Sequence, residues 1–189
     1  MASKQEEQEF SYELKIPRER IAILIGKKGQ VKRDLEKETN SKIEVDSKEG
    51  DIIISGKDSI GLFSAKEVIN AIGRGFNPDI SKLLLKQDYM FELISLNDYS
   101  KTKNDLTRVR GRIIGSEGKS REVIEELTET YICVYGKTVG IIGLSDNVFL
   151  AKQALVSLLK GSKHASVFRM LEKKKRELKR AEFASKEKF

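Results

Sequence analysis

A short glycine phrase occurs twice in the chain, and its residue types suit the binding of an anion. Residues 23–29 read Ile-Leu-Ile-Gly-Lys-Lys-Gly and residues 112–118 read Arg-Ile-Ile-Gly-Ser-Glu-Gly, so the paired glycines repeat with an offset of 89 positions. Glycine permits a tight turn and the close approach of a backbone to a ligand. Where a helix begins at such a turn, its free N–H groups and positive end favour an anion. The phrase therefore predicts two backbone sites for phosphate groups.

Basic side chains surround both phrases. Residues 18–33 carry six basic groups and one acidic group, and residues 101–121 carry seven and two, which leaves +5 in each window. At the first site we expect the ligand contacts to come from Gly26, Lys27, Lys28, Gly29, Lys32 and Arg33. At the second site we expect them from Arg108, Arg112, Gly115, Gly118, Lys119 and Arg121. Glu117 departs from this pattern, because it places a negative charge beside the expected phosphate path.

The elements that must position these residues follow one order in both halves. Hydrophobic periodicity predicts, in the first half, a strand, a helix, the glycine turn, a helix, two strands and a helix at 10–17, 18–25, 26–29, 30–39, 41–46, 52–55 and 58–72. The second half repeats the order at 89–96, 105–114, 115–118, 119–129, 131–135, 138–143 and 146–160. We expect an α+β fold of two modules, each a three-stranded sheet with helices on one face. In the helix over 58–72, the expected core-facing stripe is Ile60, Phe63, Val68 and Ile69.

The domain boundaries follow from these elements and from a shift in charge. We predict domains at residues 10–72 and 89–160, a linker at 73–88, and a basic C-terminal helix and tail at 161–189. Residues 163–189 hold ten Lys or Arg and four Glu. Three interpretations of this tail stay open: a solvated helix, an arm that contacts RNA phosphates, or a helix for a protein partner. The excess of positive charge favours RNA contact.

The order β-α-[GxxG]-α-β-β-α resembles the KH domain in its strand-first, type I form. KH domains clamp about four nucleotides of single-stranded nucleic acid, with the glycine loop on the backbone and the bases in a groove. The resemblance implies an aliphatic groove floor of Ile25, Ile43 and Val45 in the first module and Ile114, Ile132 and Val134 in the second. Since aromatic residues are few, we expect aliphatic packing and backbone hydrogen bonds to hold the bases.

Longer strings carry a more specific resemblance. Residues 72–84, 111–128, 131–139 and 161–167 are similar to the two-KH small-ribosomal-subunit assembly factors of the Pno/Dim family. The intact Gly26–Gly29 loop resembles the archaeal branch. Membership implies binding of single-stranded precursor small-subunit rRNA near its 3′ end, with contacts from Gly115, Ser116, Glu117, Gly118, Arg112 and Lys119. It also implies work beside a Nob-type endonuclease and other assembly factors.

Other classes of function lack support in the sequence. The string Gly-Ser-Glu-Gly-Lys-Ser at 115–120 ends like a phosphate-binding Walker loop, but Ile113 stands where that loop needs glycine. Cys133 and His164 are the only residues of their types, so we predict no metal site, no cofactor and no enzyme. His164 is expected at the surface or in a capping role. One cysteine, no apolar run of about 20 residues and no signal peptide favour a cytoplasmic protein.

The sequence leaves three alternatives to the RNA clamp. The glycines could serve only as helix caps, although a second copy in matching surroundings argues against this. The modules could form a scaffold whose grooves hold a protein partner. The chain could also be a subunit of an RNA-degrading complex, although it has no room for the S1-type barrel that usually accompanies KH modules there.

Overall fold

The computed structural model describes residues 10–186, with side chains described through residue 180. The chain divides into two compact units between Tyr89 and Met90. The end of the predicted tail, beyond residue 186, lies outside the described residues. None of the helices in the described part of the chain is long and apolar enough to cross a membrane.

The first unit contains a three-stranded sheet and the helices that cover it. Its elements are β1 (Phe10–Lys15), α1 (Arg18–Ile25), α2 (Gln30–Thr39), β2 (Lys42–Val45), β3 (Asp51–Gly56), α3 (Ser59–Gly73) and α4 (Pro78–Ser81). The strand order is β1-β3-β2. Both pairings are antiparallel, with Leu14 and Val45 opposite Ile52. Alternate residues of β3 are buried, which places the core between the sheet and the helices.

The second unit repeats this arrangement with additions. Its elements are β4 (Tyr89–Ser95), α5 (Lys103–Ile114), α6 (Lys119–Thr128), β5 (Tyr131–Tyr135), β6 (Thr138–Leu144), α7 (Ser145–Leu159) and α8 (His164–Lys186). The strand order is β4-β6-β5, so in each unit the last of the three strands lies in the centre of the sheet. The predicted α+β class, with two three-stranded sheets, is confirmed.

The predicted apolar stripe of α3 is wrong at two positions. Ile60 is 76% exposed and Phe63 is 54% exposed, whereas Val68 and Ile69 are buried as expected. The buried face also includes Leu62, Ala65 and Ile72. Ile60 precedes Ile69 by nine residues, which at about 100° per residue places it half a turn from the core. The buried face of this helix follows intervals of three or four residues that start at Leu62.

The segment predicted as a linker is largely folded within the first unit. It holds α4 and a 3₁₀ turn at Lys82–Leu85, in which Leu84 is buried. The ammonium group of Lys82 lies 3.3 Å from a carboxylate oxygen of Asp34 and 3.2 Å from one of Glu38, both on α2. Although burial opposes it, hydrogen bonds and the charges of Glu38 and Asp34 raise the pKa of Lys82. These ion pairs tie the segment to the helix that follows the first glycine loop.

Helix α8 begins at His164 and joins the core of the second unit. Val167 and Leu171 are buried in the same cluster as the apolar face of α7. The ammonium group of Lys175 donates to the backbone carbonyl of Glu126 at 2.7 Å, near the end of α6. A cation there complements the negative end of the helix. Beyond this contact Leu178 is 51% exposed, so within residues 164–180 the part of α8 that joins the module ends near Lys175.

Candidate nucleic-acid interface

The two glycine loops have the same backbone conformation. In the first loop φ is +72° at Gly26, +53° at Lys28 and +75° at Gly29. The corresponding angles in the second loop are +75°, +53° and +81°, at residues 115, 117 and 118. Each loop joins two helices through a short 3₁₀ turn, Lys27–Gly29 or Ser116–Gly118. The repeated sequence phrase is therefore a repeated three-dimensional structure.

The first glycine of each loop is required by close packing as well as by its backbone angle. A Cβ atom at Gly26 would lie 2.4 Å from Cγ2 of Val31, and one at Gly115 would lie 2.5 Å from Cβ of Ser120. Both contacts are too short for any larger residue. The next helix thus begins directly against the loop, and the N–H of its first residue, Gln30 or Lys119, donates to the loop carbonyl of Lys27 or Ser116.

The first loop presents positive charge to solvent. Lys27 and Lys28 are exposed, and neither has an acidic partner within 4.0 Å among residues 10–180. A guanidinium nitrogen of Arg33 lies 3.3 Å from the point where a Cβ of Gly29 would stand, so this side chain folds back over the loop. Three cations therefore surround a backbone turn that is shaped to receive an anion.

The second loop has the same shape but a different charge. Glu117 stands where the first loop has Lys28, and its carboxylate pairs with Lys119 at 3.3 Å, with both side chains exposed. A carboxylate oxygen of Glu122 lies 3.9 Å from the Cβ position of Gly118, where Arg33 covers the first loop. Arg108 is exposed and pairs with Asp105 at 3.5 Å. The field for phosphate is consequently stronger at the first loop than at the second.

Two of the predicted ligand residues are held in ion pairs on the helices that follow the loops. Lys32 donates to Glu36 at 2.9 Å, and Arg121 donates to Glu125 at 2.8 Å. Each carboxylate also accepts a backbone N–H from an edge strand, that of Ile43 at 2.8 Å for Glu36 and that of Ile132 at 2.6 Å for Glu125. Burial raises the pKa of Glu125, against the effects of the Ile132 N–H and Arg121. Lys32 and Arg121 thus stabilise the carboxylates that hold the strands.

The residues predicted for the groove floor differ in exposure. Ile25 and Ile114, each directly before a loop, are half-buried. Ile43 is 1% exposed and belongs to the core, because alternation along β2 points it and its partner Ile54 towards the helices. Val45 is half-buried and presents more aliphatic surface at the end of the strand. Val45 is therefore better placed than Ile43 to offer a side chain to a base.

Arg112 has a role that the sequence analysis did not foresee. Its guanidinium donates to the backbone carbonyls of Leu158 at 3.0 Å and Ser162 at 2.7 Å. The carbonyl of Arg112 is 2.8 Å from Nε2 of His164. These contacts tie the end of α5 to the junction between α7 and α8, so the phosphate role expected of Arg112 competes with a structural one. The role of His164 matches the expected capping function.

Glu36 and Glu125 are site residues that the sequence analysis missed. A signal was present, because each stands four residues after a predicted cation and seven before the isoleucine of the following strand. Spacing of four residues on a helix favours an ion pair. The repetition of the whole pattern at an offset of 89 could have identified both carboxylates.

Two β-α-α-β-β-α modules, each with a Gly-x-x-Gly loop between its first two helices, define a tandem type I KH protein. Residues 90–176 match the family described as "Eukaryotic type KH-domain (KH-domain type I)", and residues 11–71 match "KH domain". The chain belongs to the Pno/Dim family of two-KH-domain proteins, in its archaeal branch.

Several relatives support this assignment. The chain is 44% identical to a KH domain-containing protein of Methanocaldococcus jannaschii, over 90% of the chain and 76% of that protein. It is 32% identical to the pre-rRNA-processing protein PNO1 of Chaetomium thermophilum, over 56% of the chain and only 42% of that protein. The crystal structure of Dim2p from Pyrococcus horikoshii is 43% identical with a TM-score of 0.81, and covers 87% of this chain and 99% of that one. A second structure of similar identity, with a TM-score of 0.83 over 89% of this chain and 96% of that one, is a complex of a/eIF2alpha, aDim2p and rRNA from the same organism.

Proposed function

We propose that this protein binds single-stranded RNA in the 3′ region of small-subunit precursor rRNA and acts as an assembly factor without catalysing a reaction. Each module, residues 10–72 and 89–160, would hold about four nucleotides, with the glycine loop on the RNA backbone and the bases along the neighbouring edge strand. Two linked modules raise avidity, because the second binding event becomes intramolecular.

The observation that carries the proposal is the shared conformation of the two loops. Both place positive φ angles at the same three positions, and both press the next helix against the first glycine. Exposed Lys27 and Lys28, with Arg33 folded over Gly29, supply positive charge at one of them. Helix N-termini with adjacent cations are suited to phosphate oxygens.

The names of the relatives agree with this function. Pyrococcus aDim2p occurs in a complex with rRNA, and the Chaetomium protein is described as pre-rRNA-processing. The family resemblance adds a Nob-type endonuclease as a partner. We also place its action in the cytoplasm, because the single cysteine of the sequence, Cys133, suits a reducing compartment.

The test is the affinity for a fluorescent single-stranded RNA that matches the 3′ end of small-subunit rRNA, compared with a scrambled RNA of equal length. The variants are Lys27→Asp with Lys28→Asp for the first loop, and Ser116→Asp for the second. We expect the wild type to prefer the rRNA sequence and each variant to bind more weakly while keeping its melting temperature. The larger loss should follow the first-loop changes, because that loop carries more positive charge.

A matched control is the double variant Arg74→Gln with Lys160→Gln, which removes two exposed charges outside both loops and the basic tail. Its affinity should stay close to that of the wild type. Equal weak binding of both RNAs, unaffected by the loop variants, would refute the clamp and leave only the basic helix α8 as a contact.

A protein-binding scaffold is the second candidate, and one observation favours it. The complex of the Pyrococcus relative contains a/eIF2alpha in addition to rRNA. Salt separates the two functions, because an RNA clamp loses affinity with a log–log slope of about −0.7 per neutralised phosphate. A shallow slope together with tight binding of the protein partner would favour the scaffold.

A further inference from the structure

The second unit contains an insertion that the first unit lacks. Only two residues separate β1 from α1, whereas seven separate β4 from α5. Four of the seven form a 3₁₀ turn at Leu96–Tyr99, in which Leu96 is fully buried. The backbone N–H of Leu96 donates to the carbonyl of Lys137 at 2.9 Å, so the insertion is fastened to the turn between β5 and β6. The first unit makes the equivalent contact, from the backbone N–H of Ile16 to the carbonyl of Gly50 at 3.0 Å, so what the second unit adds is the segment that follows Leu96.

The insertion encloses one side of a cavity at the start of α5. The cavity has a volume of about 410 Å³, and we call it the α5 cavity. Its lining consists of three lysines, three neutral polar residues and one aliphatic residue, namely Lys101, Lys103, Lys137, Asn97, Ser100, Thr102 and Leu106. No carboxylate and no aromatic ring is among these residues. The chemistry of the lining therefore suits a phosphate group and offers no stacking surface for a base.

The three lysines of the α5 cavity are exposed and lack partners of opposite charge. Within residues 10–180, none of them has a carboxylate oxygen within 4.0 Å. The nearest acid in the helix, Asp105, accepts from the hydroxyl of Thr102 and pairs with Arg108. The hydrogen bond from Thr102 and the charge of Arg108 lower the pKa of Asp105, so its charge is already compensated. Asp98 belongs to the 3₁₀ turn but does not line the cavity.

We infer that the α5 cavity binds a phosphate group of an RNA chain that continues beyond the KH groove of the second unit. This inference rests on the proposed RNA-binding function and extends its footprint. The cavity lies at the start of α5 and the glycine loop at its end, and a helix of 12 residues spans about 18 Å. The cavity is thus separate from the loop, and its lysines compensate for the acidic Glu117 and Glu122 by adding positive charge farther along the RNA.

Length-dependent RNA binding tests the inference. The variant is Lys101→Gln with Lys137→Gln, and the matched control is Arg74→Gln with Lys160→Gln, which removes the same charge from exposed positions outside the cavity, the loops and the basic tail. One RNA has about four nucleotides and fits a single groove, and the other has about twelve. We expect the cavity variant to bind the long RNA several-fold more weakly, with a salt slope reduced by about 0.7, and to bind the short RNA like the wild type.

The outcomes separate the cavity from the proposed function. Equal losses in the cavity variant and the control, or an equal loss for both RNA lengths, would overturn the cavity site while the RNA-binding function stands. Failure of the wild type to bind either RNA would overturn both. A titration with uridine monophosphate, monitored through the amide signals of residues 97–103 and 137, tests whether the cavity instead binds the phosphate of a free nucleotide. Saturable shifts that long RNA does not displace would assign the cavity to a free nucleotide and overturn the RNA assignment.

Discussion

Glu125 accepts a hydrogen bond at 2.6 Å from the backbone N–H of Ile132 and thereby joins helix α6 to strand β5. Because β5 is the edge strand of its sheet, its outward N–H groups have no neighbouring strand. Glu36 and Ile43 form the same contact in the first unit at 2.8 Å. In both modules the helix that follows the glycine loop therefore holds the strand expected to line the groove, and loop and groove are coupled through one carboxylate.

The stability of the second unit should depend on pH through Glu125. Burial raises the pKa of this carboxyl, so the folded state binds its proton more tightly than the unfolded state does. The resulting stabilisation is fully present below the unfolded pKa and is lost as pH rises through the folded pKa. Gln at this position keeps an oxygen for the Ile132 N–H but cannot titrate. Urea unfolding between about pH 4 and pH 7 should show the wild type gaining stability relative to Glu125→Gln as pH falls. If the unfolding free energies of the wild type and Glu125→Gln changed in parallel with pH, the pH dependence would not come from Glu125.

Charge at the third position of the loops should control their affinity for RNA. Lys28 and Glu117 occupy the same backbone conformation, with φ of +53° in each case. Glu117→Lys should therefore fit the second loop without added strain and should increase the affinity for RNA, with a steeper salt dependence. The reciprocal Lys28→Glu should weaken binding. Fluorescence anisotropy at several salt concentrations measures both, and an unchanged affinity in both variants would remove these positions from the RNA path.

The two glycines of the second loop should differ in their tolerance of alanine. Alanine at Gly118 meets only the carboxylate of Glu122, at 3.9 Å, and its cost comes from the left-handed backbone, about 1–2 kcal/mol. Gly115 combines a φ of +75° with a ψ of −179°, a conformation that essentially only glycine adopts, and a Cβ there would also lie 2.7 Å from the backbone nitrogen of Ser120. Gly115→Ala should thus lower the free energy of unfolding more than Gly118→Ala. Chemical denaturation of both variants measures the two losses of unfolding free energy. Equal losses would contradict the prediction.

Removing the hydroxyl of Ser120 should stabilise the protein. Its Oγ atom is buried and has no hydrogen-bond partner among residues 10–180, whereas the first unit has Val31 at the equivalent position. An unsatisfied buried hydroxyl costs about 1–3 kcal/mol, so Ser120→Ala should raise the free energy of unfolding by about 1 kcal/mol. Ser116→Ala, at an exposed position in the same loop, is the control and should change it by less than about 0.5 kcal/mol. A destabilised Ser120→Ala would indicate a partner for this hydroxyl.

Element order and the glycine phrases could be predicted from the sequence because both depend on local properties. The helix of α2 was placed at 30–39, and the structure has it at Gln30–Thr39. Strand β5 likewise lies at Tyr131–Tyr135, as its alternating pattern indicated. Where two faces of a helix are both apolar, as in α3, the pattern alone did not identify the buried one, and Ile60 and Phe63 were placed on the wrong side.

By itself, the sequence determined the duplicated α+β module, the two glycine loops and the family, because spacing, periodicity and specific strings are written along the chain. Tertiary structure alone decided which cations are available to a ligand. Arg112 meets the carbonyl of Leu158, 46 residues away, and Lys82 meets Asp34, 48 residues away. Such pairings arise from the packing of distant segments, and so does the cavity that brings Lys137 to the start of α5. No local pattern records them, since each side chain finds its partner only when the core has closed.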